Sequence, residues 1–473
     1  MTEEVKPDIC VIGGGPAGLA LALAAADNAV PVVLVERDVL GGTNLTRGTI
    51  PSKALIAAAD LFGTLRRGPA MGFTAEGLTV DFGALRHHIG EVSQALAPHY
   101  SAGRLAALGI RVIAAEARFL DRRTVAAGDI MVRARRFVVA TGALPVPPPV
   151  RGIESVPYRS VGAAFDIGSE RPAQLLVLGA GGRGLEFAQA CSRLGIPTTV
   201  LDQNRALADE DPELAAIVLD RLAATGLRIR DRLEMTGVER HGGGIRFSLA
   251  RGSFIEGSHL VVAGGRRPNV ASLDLDAANV AHDSQGIVVD RRLRTTNRRI
   301  YAIGDVVAGP GLAARGPYHA GRILRAILYR LPFREHAATR VPSVTFTDPE
   351  LASVGLDEAE ARRLHSHIRI LRFPFVENDR AQTERVAYGA IKVITLRGGR
   401  ILGAAIAGPG AGEMIALWSL ALSQRLDIGA MARFIPPYPS RAEISQRVAE
   451  TFAAPGLTPR RRRRIIEFLR KFG

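Results

Sequence analysis

The 473-residue chain contains only two cysteines, Cys10 and Cys191, and they lie far apart in separate apolar segments. We expect each to be a small buried hydrophobic residue and not half of a disulfide. Such a low cysteine content gives no sign of an oxidising compartment. The chain therefore lacks the neighbouring pair of thiols that dithiol chemistry requires.

Long apolar runs are also missing. No stretch approaches the roughly 18 uninterrupted apolar residues of a membrane-spanning helix. The first predicted strand, at residues 9–12, begins too close to the N-terminus to leave room for a signal peptide. We therefore expect a cytoplasmic protein.

Lysine is scarce, because Lys6, Lys53, Lys392 and Lys471 are the only lysines among 61 basic residues. The formal net charge of +15 suggests nucleic acid as a partner, but no recognition motif accompanies the charge. An arginine bias spread along the whole chain weakens any functional interpretation of single arginines. We expect neither a nucleic-acid partner nor a metal site.

A glycine-rich turn follows the first apolar strand. Gly13, Gly15 and Gly18 have G-x-G-x-x-G spacing between this strand and a helical, alanine-rich segment. The three glycines permit a tight turn, close approach to a pyrophosphate and close helix packing, respectively. Glu36 ends the next strand at the distance expected of a ribose-binding carboxylate. The segment predicts a dinucleotide site.

A second turn of the same kind contains Gly179, Gly181 and Gly184, and its following strand leads to Asp202. A carboxylate there binds a ribose diol and repels a 2′-phosphate, which favours NADH over NADPH. Arg205 lies nearby in sequence, and Asp202 as a simple turn cap remains an alternative. Two such turns imply two dinucleotides, with hydride passing between them.

These segments, in this order, resemble the pyridine nucleotide-disulfide oxidoreductases, such as dihydrolipoamide dehydrogenase, glutathione reductase and mercuric reductase. The resemblance extends over nearly the whole chain, with further motifs at residues 41–43, 50–55, 140–142, 266–269, 301–305, 347–355 and 401–404. It implies an α/β fold with two Rossmann-like dinucleotide-binding domains, for FAD and NAD, and a C-terminal α+β dimerisation domain. A homodimer is expected.

The implied domains follow the chain order of the motifs. They are an FAD-binding first segment (1–150), an NAD(P)-binding domain (151–272), an FAD-binding second segment (273–338), an interface domain (339–456) and a basic helix (457–473). The residues implied for FAD are Gly13, Gly15, Gly18, Glu36, Thr43, Lys53, Thr141, Gly142 and Asp305. Those implied for NAD are Gly179, Gly181, Gly184, Glu186, Asp202, Gly265 and Arg266.

The resemblance breaks at the positions of the family's two redox cysteines, which are Asn44 and Thr49 here. An amide and a hydroxyl form neither a disulfide nor a thiolate–flavin complex. Tyr438 stands at the family's catalytic histidine position, and Glu443 matches its glutamate. Tyr438 either donates a hydrogen bond to a carbonyl or quinone oxygen or packs in a proline-rich turn.

The residues that the family uses for reduction of the flavin by the nicotinamide nucleotide are retained. Lys53 matches the family's flavin-side lysine, and Glu186 matches its ion-pair partner. A cation at this place stabilises negative charge on a reduced flavin. A solvated surface lysine is the alternative.

The chain ends in a basic segment with seven basic residues and one acidic residue at positions 460–473. Thr458 and Pro459 suit a helix start, and Ile465, Leu469 and Phe472 recur at helical spacing. Two interpretations remain open: a helix docked on the protein itself, or one in peripheral contact with an anionic membrane.

The expected function is an NADH-dependent FAD oxidoreductase that reduces a small non-thiol acceptor such as a quinone. The acceptor site would be lined by Asn44, Thr49 and, from the partner subunit, Tyr438 and Glu443. A flavoprotein that binds its cofactors without turnover is the alternative, since loss of both cysteines also fits a degenerate enzyme.

Overall fold

The computed structural model describes residues 3–74, 76–164, 171–309, 314–330, 341–452 and 459–472. The chain forms two compact units. Unit 1 contains Met1–Asp209 and Leu222–Val341, and unit 2 contains Glu210–Arg221 and Pro342–Gly473.

Both units combine helices with strands. The α-helices of the described residues are α1 (Pro16–Asp27), α2 (Gly42–Thr46), α3 (Thr49–Arg66), α4 (Phe82–Leu96), α5 (Ala102–Ala107), α6 (Val161–Ala164), α7 (Gly182–Arg193), α8 (Pro212–Ala224), α9 (Arg315–Tyr329), α10 (Glu358–Leu364), α11 (Asp379–Thr383), α12 (Ala411–Ser423), α13 (Ile428–Ala432), α14 (Glu443–Glu450) and α15 (Pro459–Leu469). The strands are β1 (Glu3–Val5), β2 (Ile9–Ile12), β3 (Val32–Glu36), β4 (Ile110–Ala114), β5 (Ala117–Phe119), β6 (Val125–Ala127), β7 (Ile130–Val132), β8 (Arg136–Val139), β9 (Ala143–Pro145), β10 (Arg159–Ser160), β11 (Leu175–Leu178), β12 (Thr198–Leu201), β13 (Arg228–Arg230), β14 (Met235–His241), β15 (Gly244–Leu249), β16 (Phe254–Gly257), β17 (His259–Val262), β18 (Arg266–Pro268), β19 (His282–Asp283), β20 (Gly286–Ile287), β21 (Ile300–Ala302), β22 (Ser343–Thr345), β23 (Glu350–Gly355), β24 (Ile368–Pro374), β25 (Ala390–Leu396) and β26 (Ile401–Gly408). Short 3₁₀ helices cover Gly68–Met71, Ala97–Tyr100, Ile153–Ser155, Ala250–Gly252, Gly304–Val306, Phe375–Glu377 and Arg470–Phe472.

The first large sheet of unit 1 has the strand order β21-β8-β2-β3-β4, and its strands are parallel. Every residue of β2 is buried, as its unbroken apolar sequence requires in a sheet covered on both faces. Leu19 and Leu21 of α1 and Ile323 of α9 join the core on one face. This sheet carries the first glycine turn at the carboxyl end of β2.

The second large sheet of unit 1 has the order β10-β17-β11-β12-β13 and is also parallel. Its central strands β11 and β12 are fully buried. The second glycine turn follows β11. The predicted fold, with two parallel α/β sheets that each carry a glycine turn, is therefore confirmed.

Four smaller sheets complete unit 1 in the part of the chain that the structure describes. They have the orders β1-β7-β6-β5, β14-β15-β16, β18-β9 and β19-β20. The antiparallel β9–β18 pair brings Ala143 beside Pro268 and Pro145 beside Arg266. It thereby joins the segment after the first parallel sheet to the segment after the second.

Unit 2 is built on an antiparallel sheet of order β22-β23-β26-β25-β24. Its core contains the chain's single tryptophan, Trp418 of α12, which is fully buried. The indole Nε1 donates a hydrogen bond to Ser445 Oγ of α14 at 3.1 Å, so the polar end of the side chain is satisfied. An α+β C-terminal region was expected, and the structure has one.

The basic segment forms α15, which continues as a 3₁₀ turn to Phe472. Thr458, the predicted helix cap, lies outside the described residues, as does the predicted start of the interface domain at Thr339. Ile465, Leu469 and Phe472 are between 46% and 75% exposed, so the described structure does not dock them on the protein itself. Among the described helices, none has the length and apolarity to cross a bilayer.

Candidate active site

The first glycine turn is shaped by two close backbone approaches. Gly13 has φ +109°, and a Cβ there would lie 2.5 Å from the carbonyl oxygen of Ala140. A Cβ at Gly18 would lie 1.9 Å from the carbonyl oxygen of Gly13, so α1 packs against the turn only with glycine at this position. Gly15 faces open space, because a Cβ there meets no atom within 4 Å. This is the cradle that a pyrophosphate needs.

Glu36 is placed beside this turn by β3. Its carboxylate accepts hydrogen bonds from the backbone N–H of Gly14 at 2.6 Å and of Asp38 at 2.8 Å. The carboxylate is therefore fixed at the sheet edge where a ribose diol would lie.

A cavity of about 310 Å³ opens at this turn, and it gathers most of the residues predicted for FAD. The predicted residues that line it are Gly13, Gly15, Glu36, Thr43, Thr141, Gly142 and Asp305, together with Asn44. Gly18 and Lys53 are not in its lining. Asp305 reaches the cavity from the 3₁₀ helix Gly304–Val306 and not from the strand itself, which ends at Ala302.

The second glycine turn repeats the first in detail. Gly179 has φ +116°, and a Cβ at Gly184 would lie 1.9 Å from the Gly179 carbonyl oxygen. Gly181, like Gly15, faces open space. The N–H of Gly179 donates to the carbonyl of Leu201 at 2.8 Å, as the N–H of Gly13 does to Val35. The two turns thus offer the same kind of cradle.

Asp202 occupies the position beside this turn that Glu36 has beside the first. Its carboxylate accepts from the N–H of Ala180 at 2.6 Å and of Asn204 at 2.8 Å. It therefore caps a local turn and also faces the glycine turn. Arg205 donates to the carbonyl of Ala208 at 3.2 Å.

Arg266, which sequence reasoning assigned to NAD, lines the FAD-side cavity as well as a second cavity of about 240 Å³. Its guanidinium lies 3.2 Å from the Asp305 carboxylate and donates to the carbonyl of Ala143 at 2.6 Å. Gly265, the preceding residue, lines neither cavity.

Sequence reasoning missed Arg183, which lines the second cavity beside Arg266 and Asp305. Desolvation lowers the pKa of Arg183, and the neighbouring Arg266 lowers it further. Two arginines and one aspartate give this cavity a positive character. Its position within the second glycine turn could have indicated a role in this cavity. In an arginine-rich chain, however, a single arginine is weak evidence for function.

Lys53 and Glu186 form an ion pair within unit 1. Lys53 Nζ of α3 lies 2.6 Å from Glu186 Oε2 of α7. The Glu186 side chain is only 7% exposed, whereas that of Lys53 is 30% exposed. Lys53 and Glu186, the two residues that the family resemblance predicts to be ion-pair partners, are therefore in contact. Lys53 is not an isolated surface lysine.

Asn44 and Thr49 lie side by side. Asn44 belongs to α2, and Thr49 begins α3. The hydroxyl of Thr49 donates to Asn44 Oδ1 at 3.3 Å. Cys10 in β2 and Cys191 in α7 are both fully buried, and burial raises the pKa of the Cys10 thiol to about 12 and also raises the pKa of Cys191. Neither thiol is poised as a nucleophile.

Tyr438 and Glu443 lie in unit 2. The Tyr438 side chain is 75% exposed, so it is largely uncovered by the residues that the structure describes. Its hydroxyl donates to Asp379 Oδ2 at 2.8 Å, and this carboxylate raises the pKa of Tyr438. Asp379 was not foreseen, because it lies 59 residues away in sequence. Glu443 pairs with Arg447, at 3.0 Å, along α14.

Metal ligands do not gather in the described part of the chain, where no group of three or more His, Cys, Asp or Glu side chains has a suitable arrangement.

Comparison with known proteins identifies the family. The family model described as pyridine nucleotide-disulphide oxidoreductase matches residues 7–320, and the dimerisation-domain model of the same family matches residues 341–449. This chain belongs to the pyridine nucleotide-disulphide oxidoreductase family. It is an FAD-dependent oxidoreductase that uses FAD and NAD(P)H, and the match to the dimerisation domain indicates a homodimer.

Individual relatives agree over nearly the full length. A mercuric reductase of Streptomyces lividans is 32% identical over 462 residues, covering 94% of this chain and 96% of that protein. A dihydrolipoyl dehydrogenase of Geobacillus stearothermophilus is 32% identical over 456 residues, with the same coverage. The solved structure of LpdA from Mycobacterium tuberculosis has a TM-score of 0.86 at 26% identity, covering 96% of this chain and all of that one. RclA of Escherichia coli, a flavoprotein disulfide reductase solved as a Cu(II) complex, has a TM-score of 0.84 at 26% identity, covering 94% and 99%.

The residues at the two glycine turns fit the two dinucleotides that the family uses. Gly13, Gly15 and Glu36 suit the adenosine diphosphate half of FAD, because the turn is open and the carboxylate is fixed. Gly181 and Asp202 suit the nicotinamide dinucleotide for the same reasons. When bound, FAD supplies the relay that takes a hydride from NAD(P)H and returns two electrons to an acceptor.

Proposed function

We propose that this chain is an NADH oxidoreductase that reduces a small non-disulfide acceptor, with a quinone as the first candidate. The main supporting observation is the Asn44–Thr49 pair, whose hydroxyl-to-amide hydrogen bond of 3.3 Å lies where the family resemblance places the redox cysteines. An amide and a hydroxyl neither store electrons as a disulfide nor attack one. This chemistry supports an accepting group other than a disulfide.

The retained ion pair supports turnover and argues against a degenerate flavoprotein. Lys53 is held 2.6 Å from a buried carboxylate, so its ammonium has a defined position. A positioned cation stabilises negative charge that develops during hydride transfer. A protein that only stores its cofactor has no need of this arrangement.

The reaction balances with a quinone. NADH loses a hydride, which carries two electrons and one proton, and becomes NAD⁺. The quinone gains two electrons and two protons and becomes a hydroquinone, the second proton coming from water. We assign NADH as the donor because the Asp202 carboxylate, fixed by two backbone N–H groups, would repel a 2′-phosphate.

The site residues of this proposal are those expected from the sequence. Asn44 and Thr49 would border the acceptor, with Tyr438 and Glu443 contributed by the other subunit of the homodimer. The proposed location is the cytoplasm, with peripheral contact at the membrane that holds a lipid-soluble quinone.

The test is anaerobic rapid mixing of the purified yellow protein with NADH and then with NADPH. We expect NADH to bleach the flavin band at least tenfold faster than NADPH, without a long-wavelength thiolate–flavin band. The reduced protein is then mixed with a soluble quinone, oxidised glutathione or lipoamide. Rapid reoxidation by the quinone alone supports the proposal.

A double variant, Asn44→Cys with Thr49→Cys, serves as the matched control. If these side chains occupy the redox-cysteine positions, this variant gains the long-wavelength band on reduction. A flavin that stays oxidised with both nucleotides would contradict the proposed enzymatic activity and would favour a flavoprotein that binds its cofactors without turnover. Reoxidation of the unaltered protein by disulfides would contradict the proposal of a non-sulfur acceptor.

A further inference from the structure

The basic segment at the end of the described chain presents an uncovered apolar face. We use the name basic helix for α15 with its following 3₁₀ turn, Arg470–Phe472. Five large apolar side chains project from it, and their exposed fractions are 46% for Ile465, 53% for Ile466, 59% for Phe468, 59% for Leu469 and 75% for Phe472. So much contiguous apolar surface on one short element is typical of an interaction site.

Charged and apolar side chains are separated around the basic helix. At about 100° per residue, Ile465, Phe468, Leu469 and Phe472 fall on one face, with Ile466 at its edge. The charged residues of the same stretch fall on the other face and are Arg463, Arg464, Glu467, Arg470 and Lys471. An ion pair between Arg463 and Glu467, at 3.3 Å, runs along the polar face.

The apolar face is already partly ordered. The rings of Phe468 and Phe472 meet edge to face, with centroids 5.1 Å apart. Both rings of this small aromatic cluster are exposed. Aromatic side chains of this kind favour the boundary between headgroups and acyl chains.

We propose that the basic helix is a membrane-binding element that lies flat on a bilayer containing anionic phospholipid. Its apolar face would enter the boundary between headgroups and acyl chains to a depth of about 5–10 Å. Its arginines and lysine would remain at the level of the phosphates, because long basic side chains extend from a buried stem to the headgroups.

The charge of the basic helix favours an anionic lipid surface over other partners. Residues 460–473 contain seven basic residues and one acidic residue, which complements an anionic lipid surface. Duplex nucleic acid would use the charge but would leave the five apolar side chains in water. A second copy of the chain would cover the apolar face but would bring two positive segments together. An anionic bilayer satisfies both faces at once.

This inference rests on the peripheral membrane contact in the proposed function and deepens it by naming the element and the lipid chemistry, but membrane binding does not depend on which acceptor is reduced. It would bring the enzyme to the surface from which a lipid-soluble acceptor is available. The failure of either proposal leaves the other open to its own test.

The experiment is flotation of the full-length, flavin-loaded protein with vesicles of phosphatidylcholine alone or with about 30 mol% phosphatidylglycerol, a composition of roughly one anionic lipid in three. We expect flotation with the anionic vesicles and little with the neutral ones. Flotation should weaken as salt rises from about 0.05 to 0.5 M, because screening shortens the range of the attraction.

Two variants separate the two faces of the basic helix. Ile465→Ser with Leu469→Ser removes apolar surface and keeps the charge, whereas Arg463→Gln with Arg464→Gln removes charge and keeps the apolar surface. We expect each double variant to lower the partition coefficient at least tenfold. Leu364→Ser with Leu420→Ser, and Arg397→Gln with Arg400→Gln, are the matched controls, because these residues are exposed elsewhere in unit 2. The controls should bind as the unaltered protein does.

Three results would overturn the proposal. The first is flotation that the serine variant retains, which would mean adhesion by charge alone. The second is equal flotation by the control and test variants. The third is absence of flotation with anionic vesicles. In that case, a changed sedimentation coefficient in the serine variant would indicate that a second copy of the chain covers the apolar face of the basic helix. Unchanged flavin content in every variant shows that the fold is intact.

Discussion

Lys53 and Glu186 lie 133 residues apart in sequence, yet their charged groups are 2.6 Å apart. The carboxylate is buried and the ammonium partly exposed, so the pair holds the ammonium in one place. We predict that Lys53→Met slows flavin reduction by NADH at least roughly tenfold, because a positioned cation no longer stabilises the developing negative charge. Anaerobic rapid mixing measures this rate directly.

Two further variants separate a role in chemistry from a role in folding. Lys53→Arg keeps the charge and should retain more of the rate than Lys53→Met. Glu186→Gln leaves the ammonium without its ionised partner and should slow reduction less than Lys53→Met does. Equal reduction rates in Lys53→Met and the unaltered protein would show that this lysine has no part in hydride input.

Tyr438 is held by Asp379, whose carboxylate accepts a hydrogen bond from the phenol at 2.8 Å. The negative carboxylate disfavours a phenolate and raises the pKa of Tyr438. The phenol is therefore neutral throughout the physiological range, and its proton points to Asp379. We predict that Asp379→Asn lowers the pKa of Tyr438 towards its usual value.

The measurement is the tyrosinate absorbance between about pH 8 and pH 12, taken as the difference between each protein and its Tyr438→Phe counterpart. Glu377→Gln is a suitable control, because Glu377 is an exposed carboxylate shortly before Asp379 in the chain. The control should leave the pKa of Tyr438 unchanged. An unchanged titration in Asp379→Asn would contradict the assigned hydrogen bond.

At the scale of elements, the two strand–turn–helix segments of unit 1 give a matched pair of tests. Gly15 and Gly181 both precede a helix, have negative φ values of −77° and −75°, and face open space. Alanine at either position is therefore compatible with the protein's own structure. We predict that Gly15→Ala lowers FAD content, because its methyl group occupies the space of the pyrophosphate. Gly181→Ala should retain FAD and bind NADH at least tenfold more weakly.

Each variant is the control for the other. The flavin-to-protein absorbance ratio reports FAD, and the NADH concentration dependence of flavin reduction reports the second turn. Loss of FAD in both variants would point to a general folding defect. Full FAD content and normal NADH binding in both would contradict the assignment of the two cradles.

At the scale of the whole molecule, one lysine joins distant parts of the chain within unit 2. Lys392 of β25 is buried, and its Nζ lies 2.7 Å from Asp211, 3.0 Å from Glu213 and 2.8 Å from Glu358. These carboxylates raise the pKa of Lys392 to about 12 against the opposing effect of burial. We predict that Lys392→Met destabilises the protein by about 3 kcal/mol, because it leaves the buried carboxylate of Asp211 without its cation.

The pH dependence of this cluster has a defined sign. The pKa of Glu213 is lowered to about 2 by Arg372 and Lys392, so its stabilising effect is present above its usual pKa and is lost as the pH falls through about 2. The effect of Lys392 is present below its usual pKa and is lost as the pH rises through about 12. Urea unfolding at about pH 7 and pH 3 should show a smaller penalty for Lys392→Met at the lower pH, because carboxylates without their cation are then protonated. An exposed control, Arg397→Gln, should show no such difference.

The two glycine turns, with the strands and helices that flank them, could be predicted from the amino-acid sequence. Local patterns suffice there, because an unbroken apolar strand, three glycines and a helix are adjacent in the chain and dictate one conformation. The absence of neighbouring cysteines is likewise a property of the sequence alone. The domain boundaries at 150, 272, 338 and 456 stay predictions.

Contacts between side chains that are distant in sequence could not be predicted and are seen only in the folded structure. The Tyr438–Asp379 hydrogen bond, the carboxylates around Lys392 and the place of Arg183 beside Arg266 depend on contacts between segments far apart in sequence. No local periodicity encodes such contacts, and in an arginine-rich chain a single arginine carries little signal. The tertiary structure also left the apolar face of the basic helix exposed, because burial depends on what the rest of the fold places against an element.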